Sequence, residues 1–224
     1  ALADGEVAAL QALDLPVIGL GVPRGELPTL RVDDTAVGRA ATEHLLALGH
    51  RAIAHIGQRL TGTTDADPDL DIPTRRSRGF EQAMADAAAA GDAVDARFEA
   101  ADFTIEGGRL AAQRLLERAH PPTAIFAASD EMAYGVLTAA RERGISVPRD
   151  LSVIGVDGHD MADLFGLTTI DQFPHAQGER AGDAILAVVD GGTEAPETIP
   201  ARDAGPPASL PFELVVRATT GPRT

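Results

Sequence analysis

The stretch VDDTAVGRAATEHLLALGHRAIAHIG, Val32 to Gly57, reads as a helix followed by a buried strand. Asp34 or Thr35 stands where a helix wants an N-terminal cap. Val37, Ala40, Ala41, Leu45 and Leu48 then recur at helical spacing, and Gly49 supplies a left-handed C-terminal cap. Residues 52–57, AIAHIG, are a short apolar run of strand length. The stretch also carries His44, His50 and His55, six and five residues apart. These spacings do not place them on one helical face, no acidic residue joins them at ligand spacing, and no His-Glu-x-x-His pattern occurs. The histidines therefore read as scaffold, and a chemical site must be built elsewhere.

The same strand-then-helix unit repeats outward from this stretch. PVIGLG, Pro16 to Gly21, reads as a strand. A helix over about 76–90 carries Phe80, Ala83, Met84 and Ala87 on one face, and 96–103 reads as a strand. Thr104 caps a helix bearing Leu110, Ala111, Leu115 and Ala119, and 123–128 is the next strand. Ser129 or Asp130 caps a helix with Met132, Ala133, Val136, Leu137 and Ala140 inward and Gly144 closing it. A strand over 151–157 follows, then a helix over about 175–189 burying Ala181, Ile185 and Val189, and a final strand over 210–219. Such alternation predicts an α/β fold, a parallel sheet with helices on both faces. Two stretches, Thr61 to Thr74 and Gly191 to Ser209, read as polar loops.

The 224 residues, 44% of them hydrophobic, are enough for a core in one large domain or two lobes. With no cysteine, disulfides, thiolate metal sites and cysteine nucleophiles are excluded. No apolar run approaches the roughly 18 residues of a membrane span, and the N-terminal stretch lacks a signal-peptide pattern, which points to the cytoplasm. The formal net charge of −15 opposes DNA binding by this chain, because such binding rests on neutralising phosphates. Any contact with DNA would come from another part of the protein.

In open parallel sheets, ligands bind beyond the carboxyl ends of the strands. Arg76, Phe103, Ser129, Asp130 and Asp157 follow four such ends. They comprise a bidentate donor, an aromatic face and two or three acceptors, a set suited to a small polyhydroxylated or polar heterocyclic ligand. Ser129 and Asp130 can also be explained as helix caps and Phe103 as core. Asp157 is harder to explain structurally, since a carboxylate ending an apolar strand is costly unless paired or wet. GLGVPRG, Gly19 to Gly25, misses the dinucleotide fingerprint, and DADPDLD, Asp65 to Asp71, lacks the glycine and glutamate of a calcium loop. No nucleophile elbow or triad appears. A binding protein without metal, cofactor or catalytic residues is expected.

VDDTAVGRAATEHLLALGHRAIAHIG, RRSRGFEQAM, ADFTIEGGRLAAQRLL, TAIFAASDEMAYGVLTAARERGISVPRDLSVIGVDG, LTTIDQ and LPFELVVRAT, in this order, resemble the effector-binding domain of LacI/GalR-type bacterial transcription regulators. The resemblance implies a periplasmic-binding-protein-like fold: two Rossmann-like lobes with parallel sheets, joined by three crossing segments, with the effector between them. The first lobe would hold 1–57 and 172–208, the second 58–171 and 209–224. Arg76, in Arg-Ser-Arg-Gly-Phe, resembles the effector-binding arginine, and Asp157, in GVDG, its carboxylate partner. Phe103 matches a position that stacks on the ligand, and Ser129, before Asp130, one that hydrogen-bonds it. The family's DNA-binding helix-turn-helix and hinge helix have no counterpart in this sequence, and the opening of the first lobe is missing, so that lobe is incomplete here. The implied function is effector sensing, of a sugar first and a purine second, by a cytoplasmic homodimer that touches operator DNA only through the missing N-terminal part. The alternative is a solute-binding protein of a transporter, which shares the fold.

Overall fold

The computed structural model describes residues 4–12, 15–21, 28–58, 71–189 and 209–223. The acidic loop over 61–70, residues 22–25 of the glycine-containing stretch, and residues 191–208 of the second loop lie outside them. The chain forms two compact units, Ala1–Asp33 with Phe173–Pro211, and Asp34–Gln172 with Phe212–Thr224. In the first, helix α1 (Asp4–Gln11) precedes strands β1 (Gly19–Leu20) and β2 (Thr29–Leu30), which pair in parallel. Helix α6 (Pro174–Val189) belongs to this unit, and Leu210 bridges in parallel to Val32.

The second unit is a six-stranded sheet with helices on both faces. Its elements are α2 (Asp34–Ala47), β3 (Ala52–Gly57), α3 (Ile72–Ala89), β4 (Asp95–Ala100), α4 (Ile105–Leu116), β5 (Ala124–Ala127), α5 (Asp130–Glu142), β6 (Ser152–Asp157), β7 (Thr168–Asp171) and β8 (Glu213–Val215). The strand order is β4-β3-β5-β6-β7-β8. The first five run parallel, so their carboxyl ends share one edge; β8 pairs antiparallel with β7.

Residues alternate across the sheet as a doubly covered strand requires. Ala54, Ile56, Ile125, Ala127 and Val153 join the core beneath α4 and α5, with Ala111, Leu115, Met132 and Val136. On the opposite face His55 stacks on Phe126 at 4.4 Å and lies 5.5 Å from Phe80 of α3. Each helix pair crosses on two glycines. A Cβ at Gly38 of α2 would collide with the Arg76 carbonyl of α3, and one at Gly79 with the Thr35 carbonyl. Gly108 of α4 and Gly135 of α5 stand in the same relation to Met132 and Ile105. Backbones that approach this closely leave no space for a side chain.

Several expectations change. Residues 1–57 do not stay together: α2 and β3 belong to the second unit, because β3 is paired on both sides by β4 and β5. Helix α3 starts at Ile72, four residues before the expected start, because Asp71 caps it by accepting from the Thr74 N–H at 2.6 Å. The strand expected over 210–219 is divided. Leu210 pairs with Val32, Pro211 has no N–H to give, and only 213–215 joins β7. The short β7 was not separately expected as a strand. Leu110, Ala119 and Val189, expected inside, are exposed; Ala112 and Ala184 are buried on those helices instead.

The three histidines are scaffold, as read. His50 is buried, with Nδ1 2.9 Å from the Thr123 hydroxyl and Nε2 2.9 Å from Ser152 Oγ and 3.1 Å from the Gly221 carbonyl. Its ring ties the turn before β3 to the starts of β5 and β6 and to the C-terminal tail. His44 Nε2 meets Thr220 Oγ1 at 2.9 Å. His55 is fully buried, with Nδ1 3.1 Å from the Phe126 carbonyl, and burial pushes its pKa down to about 4, so the ring is neutral. No group of three metal-ligating side chains occurs among the described residues.

Candidate functional site

The sheet's carboxyl edge collects the chemistry. Arg76, one turn into α3, is 3% exposed, and its donors are taken up around its fork. Nε donates to Asp34 Oδ1 at 3.0 Å, Nη2 to Gln172 Oε1 at 3.1 Å, and Nη1 to the Ala128 carbonyl at the end of β5. Nη1 also lies 3.5 Å from Asp157 Oδ1. One rigid planar cation thus reaches the ends of β5, β6 and β7 and the start of α2, a geometry that lysine's point charge would not reproduce.

Asp34, also buried, is the main counter-ion. Burial pushes its carboxyl up and the Arg76 charge pulls it down, with a hydrogen bond from Gln172 adding to the pull. A buried carboxylate with a charged partner and a second donor meets the condition under which such a pair persists.

Asp157 is different. It ends β6 with φ +125°, a backbone region that side chains other than glycine rarely adopt. Its carboxylate receives the Asp130 backbone N–H in addition to Arg76, at the N-terminal turn of α5 where the helix dipole favours negative charge. Burial raises its pKa, against the pull of Arg76. Yet 42% of its side chain remains exposed, against 4–5% for Arg76 and Asp34. Asp157 is therefore the carboxylate of this cluster that a solute can reach.

The other expected residues divide. Ser129 is the N-cap of α5, accepting from the Met132 N–H at 3.2 Å. Its oxygen serves the helix, while a hydroxyl can also donate. Phe103 follows β4 just before α4 and is partly buried, its ring packed against the core with surface left over. Asp130, expected on the ligand face, is turned inward with no exposed surface. Its Oδ1 accepts from the Thr169 hydroxyl at 2.7 Å and Oδ2 from the His159 N–H at 2.8 Å. Burial raises its pKa to about 6. It braces the loop after β6 against β7 and has no surface to offer a ligand.

Sequence reasoning missed Asp34 and Gln172 as members of this cluster. Asp34 was read as a cap candidate. Gln172 directly follows β7, so the strand-end rule that produced Ser129 and Asp157 reaches it once β7 is recognised.

Residues 42–220 match the family model of the periplasmic binding protein-like domain. Over 171 residues the chain is 35% identical to the HTH-type transcriptional repressor CytR of Escherichia coli K12, covering 75% of this chain and 46% of that protein. It spans about half the length of the curated relatives it matches. Among solved structures, a LacI transcriptional regulator from a Rhodococcus species superposes with a TM-score of 0.79 at 32% identity, over 99% of this chain and 75% of that one. A LacI-family regulator from Enterococcus faecium, solved with bound ribose, gives 0.78 at 28% identity, over 100% and 77%. The chain belongs to the periplasmic binding protein-like family, in the form that LacI-family transcriptional regulators carry as their effector-binding domain.

Proposed function

We propose that this domain senses a small polyhydroxylated effector, a sugar before a purine, through Asp157, Phe103 and Ser129, with the buried Arg76 holding Asp157. One observation carries the reading. Among the carboxylates around Arg76, Asp157 alone combines a strand-end position, a positive φ and a side chain 42% exposed. Such a carboxylate accepts paired hydroxyl hydrogens, and the partly exposed Phe103 ring offers a flat apolar face. The ribose bound by the Enterococcus relative supports a sugar as first choice. The relatives are repressors and regulators, which favours regulation over solute transport. In this reading the protein acts in the cytoplasm as a homodimer, and operator DNA is held by a segment outside this chain, consistent with the net charge of −15. No described helix is long and apolar enough to cross a membrane.

Thermal unfolding against ribose, other sugars and purine nucleosides tests the proposal. A ligand at about 100 times its Kd adds about 2.7 kcal/mol of stability. A gain lost in Asp157→Ala and Phe103→Ala supports the assigned face; a gain that survives both overturns it.

A further inference from the structure

The chain passes from the first unit to the second between Asp33 and Asp34, and back between Gln172 and Phe173. The first residue after one crossing and the last before the other are two of the side chains bound to Arg76, at 3.0 and 3.1 Å. Gln172 also hydrogen-bonds Asp34 itself, closing a triangle. Its amide oxygen accepts from Arg76 while its amide nitrogen donates to the Asp34 carboxylate. The backbone turns sharply beyond it, Phe173 having φ +54°. The same guanidinium also pairs with the half-exposed Asp157. Residues 34, 76 and 172 are far apart in sequence, so this meeting is a product of the fold.

We propose that Arg76, Asp34 and Gln172 form a clasp that fastens two chain crossings to the guanidinium that holds Asp157. Asp34 and Gln172 are positioning residues: they act through Arg76 and do not touch the ligand. A change in the hold on Asp157 is then felt at both crossings. The inference rests on the effector reading for its purpose, but its physical content needs no ligand, so the two fail separately.

Hydrogen exchange of the ligand-free protein tests it, followed in peptides covering 30–39 and 170–178, with an α4 peptide over 105–116, which does not touch Arg76, as reference. Asp34→Asn and Gln172→Met keep the side-chain size while removing the charge or the hydrogen bonds. Each is expected to speed exchange roughly tenfold at the other crossing as well as its own, the reference unchanged. Asp157→Asn relieves Arg76 of a competing partner and is expected to slow exchange at both crossings, by roughly twofold. Packing alone would be preserved by the methionine and would give no cross-effect. Faster exchange confined to the substituted crossing overturns the clasp, and so does faster exchange that extends to the α4 reference.

Discussion

The two helix pairs on the faces of the second unit are built alike and used differently. Both α2/α3 and α4/α5 cross on reciprocal glycines whose Cβ would strike the partner's carbonyl. Both point their N-terminal turns at the sheet's carboxyl edge. In α4/α5 those turns are closed by hydroxyl caps, Thr104 accepting from Gly107 at 2.9 Å and Ser129 from Met132 at 3.2 Å. In α2/α3 the N-terminal ends carry charge: Asp34 opens α2, Asp71 caps α3, and Arg76, one turn into α3, meets Asp34 at 3.0 Å. One scaffold therefore supports a pair closed by hydroxyl caps and a pair whose N-terminal ends hold a buried ion pair. Backbone packing fixes where the first turns lie, and the side chains placed there decide what that edge can bind.

The contrast is broken most directly at Arg76. Arg76→Met removes the cation and leaves Asp34 buried without its charge partner, a situation that costs about 3–5 kcal/mol. Urea unfolding should show the loss. The glycine crossings should be equally intolerant on both faces, with Gly79→Val and Gly135→Val each costing about 3 kcal/mol by overpacking. A large asymmetry between them would mean that the two pairs are not equivalent scaffolds.

Acid sharpens the comparison further. Folded His55 stays neutral down to about 4, whereas the unfolded chain protonates it near 6.5. The unfolded state thus binds more protons in that window, and the contribution of His55 is lost as pH falls through it. The loss amounts to about 3 kcal/mol by pH 4. Burial lowers His44 and His50 as well, which adds in the same direction. Asp130 works against this trend. Its folded pKa of about 6 lies above its ordinary 3.8, so the native state takes up that proton first and gains stability as pH falls across the interval. Chemical unfolding from pH 7 to 4 should therefore give a shallower acid slope in His55→Leu. The smallest effect is expected at the hydroxyl cap, where Ser129→Ala costs about 1 kcal/mol in the same assay.

Much of the second unit was legible because its cues are local. Val37, Ala41 and Leu45 at helical spacing, Gly49 with φ +89° and the Thr104 cap each act within a few residues. Arg76 and Asp157 were legible through a short motif and a carboxylate misplaced on an apolar strand. Other features depend on contacts that no local pattern encodes. Asp34 and Gln172 meet Arg76 across 42 and 96 residues. Asp130 looked like a ligand acceptor at a strand end, but its fate was set by Thr169, 39 residues away. The boundary at residue 33 rather than 57 follows from β3 taking partners on both edges, a fact of sheet order and not of sequence pattern.

Amide chemical-shift mapping of the labelled protein, titrated with the ligand that most raises its unfolding temperature, tests the effector face most directly. The account predicts that the largest shifts fall at Phe103, Ser129, Asp157 and Gly158, with smaller ones at Asp34 and Gln172. Largest shifts elsewhere in the described residues, with those at Asp157 and Gly158 unmoved, would contradict it.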